Sequence, residues 1–309
     1  MGKRSRAETV VVLLAGPTAS GKSRLALDIA THRDGIVINA DSMQVYRDLR
    51  VLSARPSSDE ERAAPHRLYG HVSAAMRYSV GAWLNDVAHV LREARSAGQN
   101  TIVVGGTGLY FKALTGGLAT VPAIPPTLRA ELLAETADVD SRALHDRLTA
   151  LDPEDAAAIR PSDRTRIVRA LEVFTATGVS LAAWKNSAGA PPLIDPAHAE
   201  RIVLTLDRAE LHRRIAERAD LMVRGGAIEE VRALLALGLS PELPAMKAIG
   251  VRELRGHLAG KISLEEATAA IKTETRRYAK RQMTWFRNQM GDWRVVDAGS
   301  ALDLPGGPA

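Results

Sequence analysis

The chain has 309 residues, enough for one large domain or two modest ones, and its 46% hydrophobic and 25% charged residues are ordinary for a globular protein. It contains no cysteine, which excludes disulfides, cysteine-based zinc sites and thiol catalysis. A net charge of +5 points to an anionic partner, with nucleic acid the leading candidate. Lys3, Arg4 and Arg6 ahead of an apolar run imitate a secretory leader, but Val10 to Ala15 is too short for one. No later run approaches the ~18 apolar residues that span a bilayer, so a cytoplasmic protein with no membrane partner is expected.

In chain order, Val10 to Ala15 carries no charge and predicts a strand buried on both faces, as in a parallel sheet. Gly16-Pro17-Thr18-Ala19-Ser20-Gly21-Lys22-Ser23 then fits the phosphate-cradling pattern G-x-x-x-x-G-K-[ST] in full. Leu25, Ala26, Ile29 and Ala30 follow at helical spacing, so a helix runs from Lys22 to about Arg33. A loop between strand and helix is the context this motif requires. Its glycines turn backbone N–H groups inward, the helix N-terminus adds partial positive charge, Lys22 adds a full one, and the Ser23 hydroxyl can reach Mg²⁺. The loop specifies a diphosphate or triphosphate without saying which molecule carries it.

Gly35 to Asn39 predicts a second strand, ending at Ala40-Asp41-Ser42-Met43-Gln44-Val45-Tyr46. Ligands of open α/β sheets sit beyond the carboxyl ends of strands, so Asp41 falls beside the phosphate loop if the first two strands are near neighbours. It suits a helix N-cap as well as a catalytic carboxylate, and spacing weighs the two equally. Residues 53–66 read as a loop or short helix, and Leu68 to Val72 as a third strand. Ser79 to Ala97 is an amphipathic helix stopped by Gly98. Thr101 to Val104 is another buried strand, and it runs into Gly105-Gly106-Thr107-Gly108, either a plain tight turn or a place where backbone approaches a ligand.

The alternation stops there. From Gly116 to about Pro196 no strand is expected, and helices at 127–136, 141–151 and 163–177 suggest an all-α insertion over 116–197 that splits a core of 1–115 and 198–309. Within it Arg166 and Arg169 lie three apart on one helix face, where a solvated surface is the plainer reading. The core resumes with a strand over Arg201–Asp207 and a helix opening at Leu211, on which Arg214 and Arg218 project together. Met246 to Arg252 reads as a Gly-broken turn with two cations. A long helix from about Leu264 to Arg287 carries Lys272, Arg276, Arg277, Lys280, Arg281 and Arg287 interleaved with aromatics, a stripe able to follow a phosphate backbone. The Pro/Gly-rich tail after Gly299 is read as disordered.

Five blocks, GPTASGKS, NADSMQVY, GGTGLYFKAL, DRTRIVRALEVF and AKRQMTWFR, resemble the tRNA dimethylallyltransferases, also called tRNA isopentenyltransferases, in order and over roughly residues 10 to 290. The resemblance implies a P-loop, nucleotide-kinase-like parallel α/β core with a helical insertion, and, without cysteines for a zinc finger, the bacterial type. It implies that Gly16, Thr18, Ala19, Ser20, Gly21, Lys22 and Ser23 hold dimethylallyl diphosphate with Mg²⁺ on Ser23, and that Arg218, in the RIxxR pattern, adds a pyrophosphate contact. It makes Asp41 the base that deprotonates the adenine amine, and Thr107 the hydroxyl on the bridging oxygen of the leaving group. Asp41, Ser42, Met43 and Gln44 would read a flipped-out base of the tRNA anticodon stem-loop. Further tRNA contacts are implied at Thr107, Arg129, Thr165, Arg166, Ile167, Val168, Arg169, Lys247, Ala248, Ile249, Gly250, Val251, Arg252, Arg277, Lys280 and Arg281. A monomer is expected. The rival readings are a small-molecule kinase, an RNA-binding module switched by nucleotide, and an enzyme that prenylates free AMP.

Overall fold

Charge-free, β-branched runs in this chain become the inner strands of a sheet. In the computed structural model, which describes residues 9–187 and 189–299, β1 (Val11–Ala15) leads through the phosphate loop to α1 (Lys22–His32), followed by β2 (Gly35–Asn39), α2 (Ser58–Ala63) and β3 (His66–Arg67). Then come α3 (Val80–Ala97), β4 (Asn100–Gly105) and α4 (Gly108–Gly116). The sheet is parallel throughout and ordered β3-β2-β4-β1, continuing with β5 (Ala199–Thr205) and β6 (Arg294–Asp297) once those return to it. A parallel α/β core of the expected class is therefore present. Val12, Leu14 and Ile102 pack against Leu25, Ala26 and Ile29 of α1 on one face, while Leu13, Ile38 and Val103 meet Trp83, Val87 and Phe111 on the other. Burial on both faces is why these strands read as unbroken apolar runs rather than alternating ones.

The described chain divides into two compact units, Gly116–Pro192 and the remainder. The shorter is helical: α5 (Pro126–Thr136), α6 (Ser141–Leu151), α7 (Pro153–Ala158), α8 (Arg164–Thr177) and α9 (Leu181–Asn186). Its core is built by Leu132, Leu144, Leu148, Ile167 and Leu171. Asp155 in α7 accepts hydrogen bonds from the Leu181 and Ala182 N–H groups, capping the start of α9.

In the longer unit, α10 (Arg208–Met222) passes through a π-helical turn into α11 (Ile228–Ala236), with Gly226 at φ 104° taking the kink. A 3₁₀ turn at Pro244–Lys247 precedes α12 (Val251–Leu258) and α13 (Leu264–Gln289). Ser263 and Glu266 form a capping box that starts α13.

Two sequence expectations change, and the condition placed on the first two strands is resolved. Leu68–Val72 is not a strand: β3 ends at Arg67, and Val72 makes only an isolated bridge to Tyr46. β1 and β2 are not adjacent, because β4 lies between them and pairs with both. The turn over Met246–Arg252 gives way to a helix from Val251, at whose start the Gly250 N–H donates to the Glu253 carboxylate at 3.0 Å. The tail beyond Gly299 lies outside the described residues.

Candidate active site

Three chain segments meet at the carboxyl edge of the sheet because β1, β4 and β2 stand side by side. At the end of β1 the phosphate loop holds Ala19 at φ 65° and Gly21 at φ 91°, left-handed conformations interspersed along an anion-binding nest. Ala19 is a non-glycine residue there, a local cost tolerated at functional loops. Ser20 is fully buried, and its Oγ has no hydrogen-bond partner. A sequestered hydroxyl inside a nest is a donor that an anion can satisfy. Lys22 Nζ folds back to donate to the Pro17 carbonyl at 3.2 Å. Ser23 lies exposed in the first turn of α1.

At the end of β2, buried Asn39 organises the turn. Its Nδ2 donates to the Asp41 and Leu68 carbonyls at 2.9 and 3.0 Å, and its Oδ1 accepts the Asp41 N–H at 2.8 Å. Trp83 Nε1 in turn donates to the Asn39 carbonyl. No helix begins at Asp41, so the cap reading falls away. Its Oδ1 accepts the Met43 N–H at 2.9 Å in a local turn, and its Oδ2 lies where a Cβ on Gly106 would come within 3.5 Å.

At the end of β4 the glycines have protein neighbours. A Cβ on Gly105 would stand 2.0 Å from the Ala40 carbonyl oxygen; one on Gly106 would stand 2.1 Å from Gln282 Nε2. The Gly-rich turn thus exists to admit the β2 backbone and α13, which corrects the ligand-approach reading. Thr107 follows, its Oγ1 accepting the Ser42 N–H at 3.0 Å and donating to Ser42 Oγ at 3.3 Å.

A cavity of about 280 Å³ lies between the first two of these segments, and its wall includes Thr18, Asp41, Ser42, Met43, Arg218, Lys247, Ala248, Ile249 and Arg281, with Lys22 and Thr107 outside the lining. Apolar side chains of Ile215, Ala219, Met222 and Ile271 complete one side. Arg218 reaches from α10 to the Thr18 hydroxyl. Burial lowers the pKa of Lys22 to about 8 and pulls that of Arg218 down, while the Asp41 charge raises both. Among the described residues neither cation is in a salt bridge. Burial first, then the Asp41 charge, pushes the Tyr69, Tyr110 and Tyr278 hydroxyls far above their ordinary range, so all three stay protonated donors.

The remaining anticipated residues, and Lys247 and Arg281 of the cavity wall, have protein partners or face solvent. Gln44 Nε2 donates to the Ser53 and Ala54 carbonyls, bracing a loop rather than facing the cavity. Lys247 pairs with Glu242, Arg252 with Glu253, and Arg277 with Glu274. Val251 is buried and Gly250, at φ 102°, serves the start of α12. Lys280 and Arg281 are exposed and without an ion pair among the described residues. In the helical unit, Ile167 and Val168 belong to its own core, Arg129 and Arg169 both clasp Glu172, Arg166 pairs with Asp163, and Thr165 is exposed. Asn39, Tyr278 and Gln282 escaped the sequence reading. The polar residue closing an otherwise apolar strand was the available signal for Asn39.

A family model described as IPP transferase matches residues 44–289, and one described as isopentenyl transferase matches residues 9–74. The chain is 55% identical over 298 residues to a tRNA dimethylallyltransferase of Methylobacterium nodulans, covering 96% of this chain and 98% of that one. It is 52% identical over 281 residues to its counterpart from Agrobacterium fabrum, covering 91% and 94%. Among solved structures, a tRNA isopentenylpyrophosphate transferase from Bacillus halodurans superposes with a TM-score of 0.67 at 34% identity, covering 94% of this chain and 90% of that one. A eukaryotic dimethylallyltransferase acting on tRNA superposes with a TM-score of 0.76 at 27% identity, covering 94% and 74%.

Proposed function

The chain belongs to the tRNA dimethylallyltransferase family and is a prenyltransferase acting on tRNA, and on that premise we propose that it moves the dimethylallyl group of dimethylallyl diphosphate to N6 of the adenosine 3′-adjacent to the anticodon. The observation that carries this reading is the shared cavity: Thr18 and Arg218 of an anion cradle and the Asp41 carboxylate line one space.

The diphosphate lies in the Gly16–Ser23 loop, against Lys22, the Ser20 hydroxyl and Arg218. The residues also fit Mg²⁺ in one way. Among the described residues no three acidic or histidine side chains cluster as a metal cage, but the exposed Ser23 hydroxyl sits at the helix N-terminus, where a cation could share its shell with diphosphate oxygens and water. When bound, Mg²⁺ supplies charge that stabilises the departing pyrophosphate.

The base enters flipped out of the anticodon stem-loop, since its amine is unreachable while stacked. Asp41 accepts a proton from N6 as N6 bonds to the prenyl carbon. The bond from that carbon to the bridging oxygen breaks, and its electrons leave on pyrophosphate. Thr107 donates to that oxygen, while Lys22 and Arg218 offset the growing charge. An exocyclic amine is a weak nucleophile, so alignment of N6 with the carbon supplies much of the rate. Lys280 and Arg281 on α13 grip the RNA backbone, and the enzyme works as a cytoplasmic monomer. Among the described residues no helix is long and apolar enough to cross a membrane.

Mass spectrometry of nucleosides from anticodon stem-loop RNA incubated with dimethylallyl diphosphate tests this. Wild type adds one five-carbon unit to adenosine and Asp41→Ala adds almost none. Phosphoryl transfer from ATP without prenyl transfer would favour the kinase reading instead.

A further inference from the structure

Gln282 is 5% exposed, lies in the C-terminal third of α13, and belongs to none of the roles above. Its carboxamide makes two bonds to separate loops. Oε1 accepts the backbone N–H of Thr18 at 2.9 Å, and Nε2 donates to the Gly106 carbonyl at 2.9 Å. The amide cannot be turned round, because Thr18 N offers only a donor and the Gly106 carbonyl only an acceptor. Nor could the contact survive a side chain at Gly106, whose Cβ would fall 2.1 Å from Nε2. Only a carboxamide of this length supplies both partners at once: glutamate lacks the donor, methionine lacks both groups, and asparagine is one methylene short.

Thr18 belongs to the anion cradle, and Gly106 immediately precedes Thr107. We propose that Gln282 is a positioning residue that sets the spacing between the phosphate loop and the Gly106–Thr107 turn, and so aligns the leaving group with the hydroxyl and carboxylate that face it. One turn earlier on the same helix, Tyr278 lines the cavity that Thr18 and Asp41 share. The ring of Tyr278 carries Arg281 above it, with the guanidinium carbon 5.7 Å from the centroid. The inner face of α13 therefore tunes the diphosphate site, while exposed Lys280, and Arg281 at the cavity wall, are offered to RNA. This inference rests on the diphosphate reading of the cradle.

The test uses the full-length chain with Gln282→Met and Gln282→Glu. Each is assayed by steady-state prenylation of stem-loop RNA, by calorimetric binding of pyrophosphate, and by thermal melting. A positioning role predicts that Gln282→Met weakens pyrophosphate binding about tenfold, raises KM for dimethylallyl diphosphate and lowers kcat by about tenfold or more, and leaves KM for RNA within about twofold. Gln282→Glu, which keeps the acceptor but sets a carboxylate against the Gly106 carbonyl, loses more pyrophosphate affinity than Gln282→Met. The inference is overturned if Gln282→Met keeps wild-type pyrophosphate affinity and kinetics. It is equally overturned if activity falls only with the folded fraction while both KM values stay unchanged. Wild type that fails to bind pyrophosphate would sink the cradle reading and this inference with it, whereas wild type and Gln282→Met binding equally well would sink this inference alone.

Discussion

The cations of the two units are treated in opposite ways. In the helical unit, Arg129 and Arg169 share the buried carboxylate of Glu172, with Arg129 approaching at 3.0 and 3.1 Å and Arg169 at 3.1 Å. In the α/β unit, Lys22 and Arg218 are partly buried with no ion pair among the described residues, near enough to Asp41 for its charge to raise the pKa of both, and Arg218 shares the cavity wall with Asp41. A buried carboxylate clasped by half-exposed arginines holds a fold together; a partly buried cation left without an ion pair raises the free energy of the empty protein until an anion arrives. The same residue type thus serves architecture in one unit and ligand binding in the other.

The largest effect expected on that contrast comes from Asp41→Ala, which removes the proton acceptor while leaving the cradle. Prenyl transfer should fall by about 10²–10⁴-fold with pyrophosphate affinity retained, as single-turnover kinetics and calorimetry would reveal. Lys22→Met and Arg218→Gln come next. Each should lower kcat/KM for dimethylallyl diphosphate by about a hundredfold, yet Lys22→Met should stabilise the ligand-free protein. The sign follows from linkage. The Lys22 pKa is depressed from 10.5 to about 8, so folding disfavours the charged form. The penalty is complete below pH 8 and disappears as pH rises from about 8 to 10.5. Thermal melts should therefore show Lys22→Met more stable by about 1–2 kcal/mol at pH 7, with the gain gone by the upper end of that window.

A double Lys280→Ala, Arg281→Ala variant should raise KM for RNA about tenfold and flatten the dependence of log K on log salt by about two, measured by filter binding across salt concentrations. The smallest effect on activity belongs to the other unit. Glu172→Gln should cost about 1–3 kcal/mol in stability, seen in urea melts, while pyrophosphate affinity stays unchanged. A loss of pyrophosphate affinity there would erase the distinction between the two kinds of cation.

How much of this could be read from the residues differs by kind of signal. β1, β2, β4, α1, α3 and the body of α13 follow from local periodicity and from Gly98 and Ser263 at their ends. Strand order does not, because insertion of β4 between β1 and β2 is a long-range pairing invisible to spacing. β6 also escapes, being four residues at a sheet edge with three of them exposed, too short and too polar to stand out. At the candidate site, the phosphate pattern and Asp41 at a strand end were legible. Pairing states were not: Arg129 and Arg169 read as cations free for RNA until Glu172 is seen between them. Gln282 read as one polar residue in a basic helix, since its two partners lie 264 and 176 positions away.

The most direct measurement is calorimetric titration of wild type and Lys22→Met with pyrophosphate at pH 8, repeated in buffers of different ionisation heat. An anion entering the cradle restores the Lys22 charge, so wild type should take up about half a proton more than Lys22→Met on binding. Equal proton uptake by the two proteins, or no binding by wild type, would contradict an unpartnered cation waiting for a diphosphate opposite Asp41.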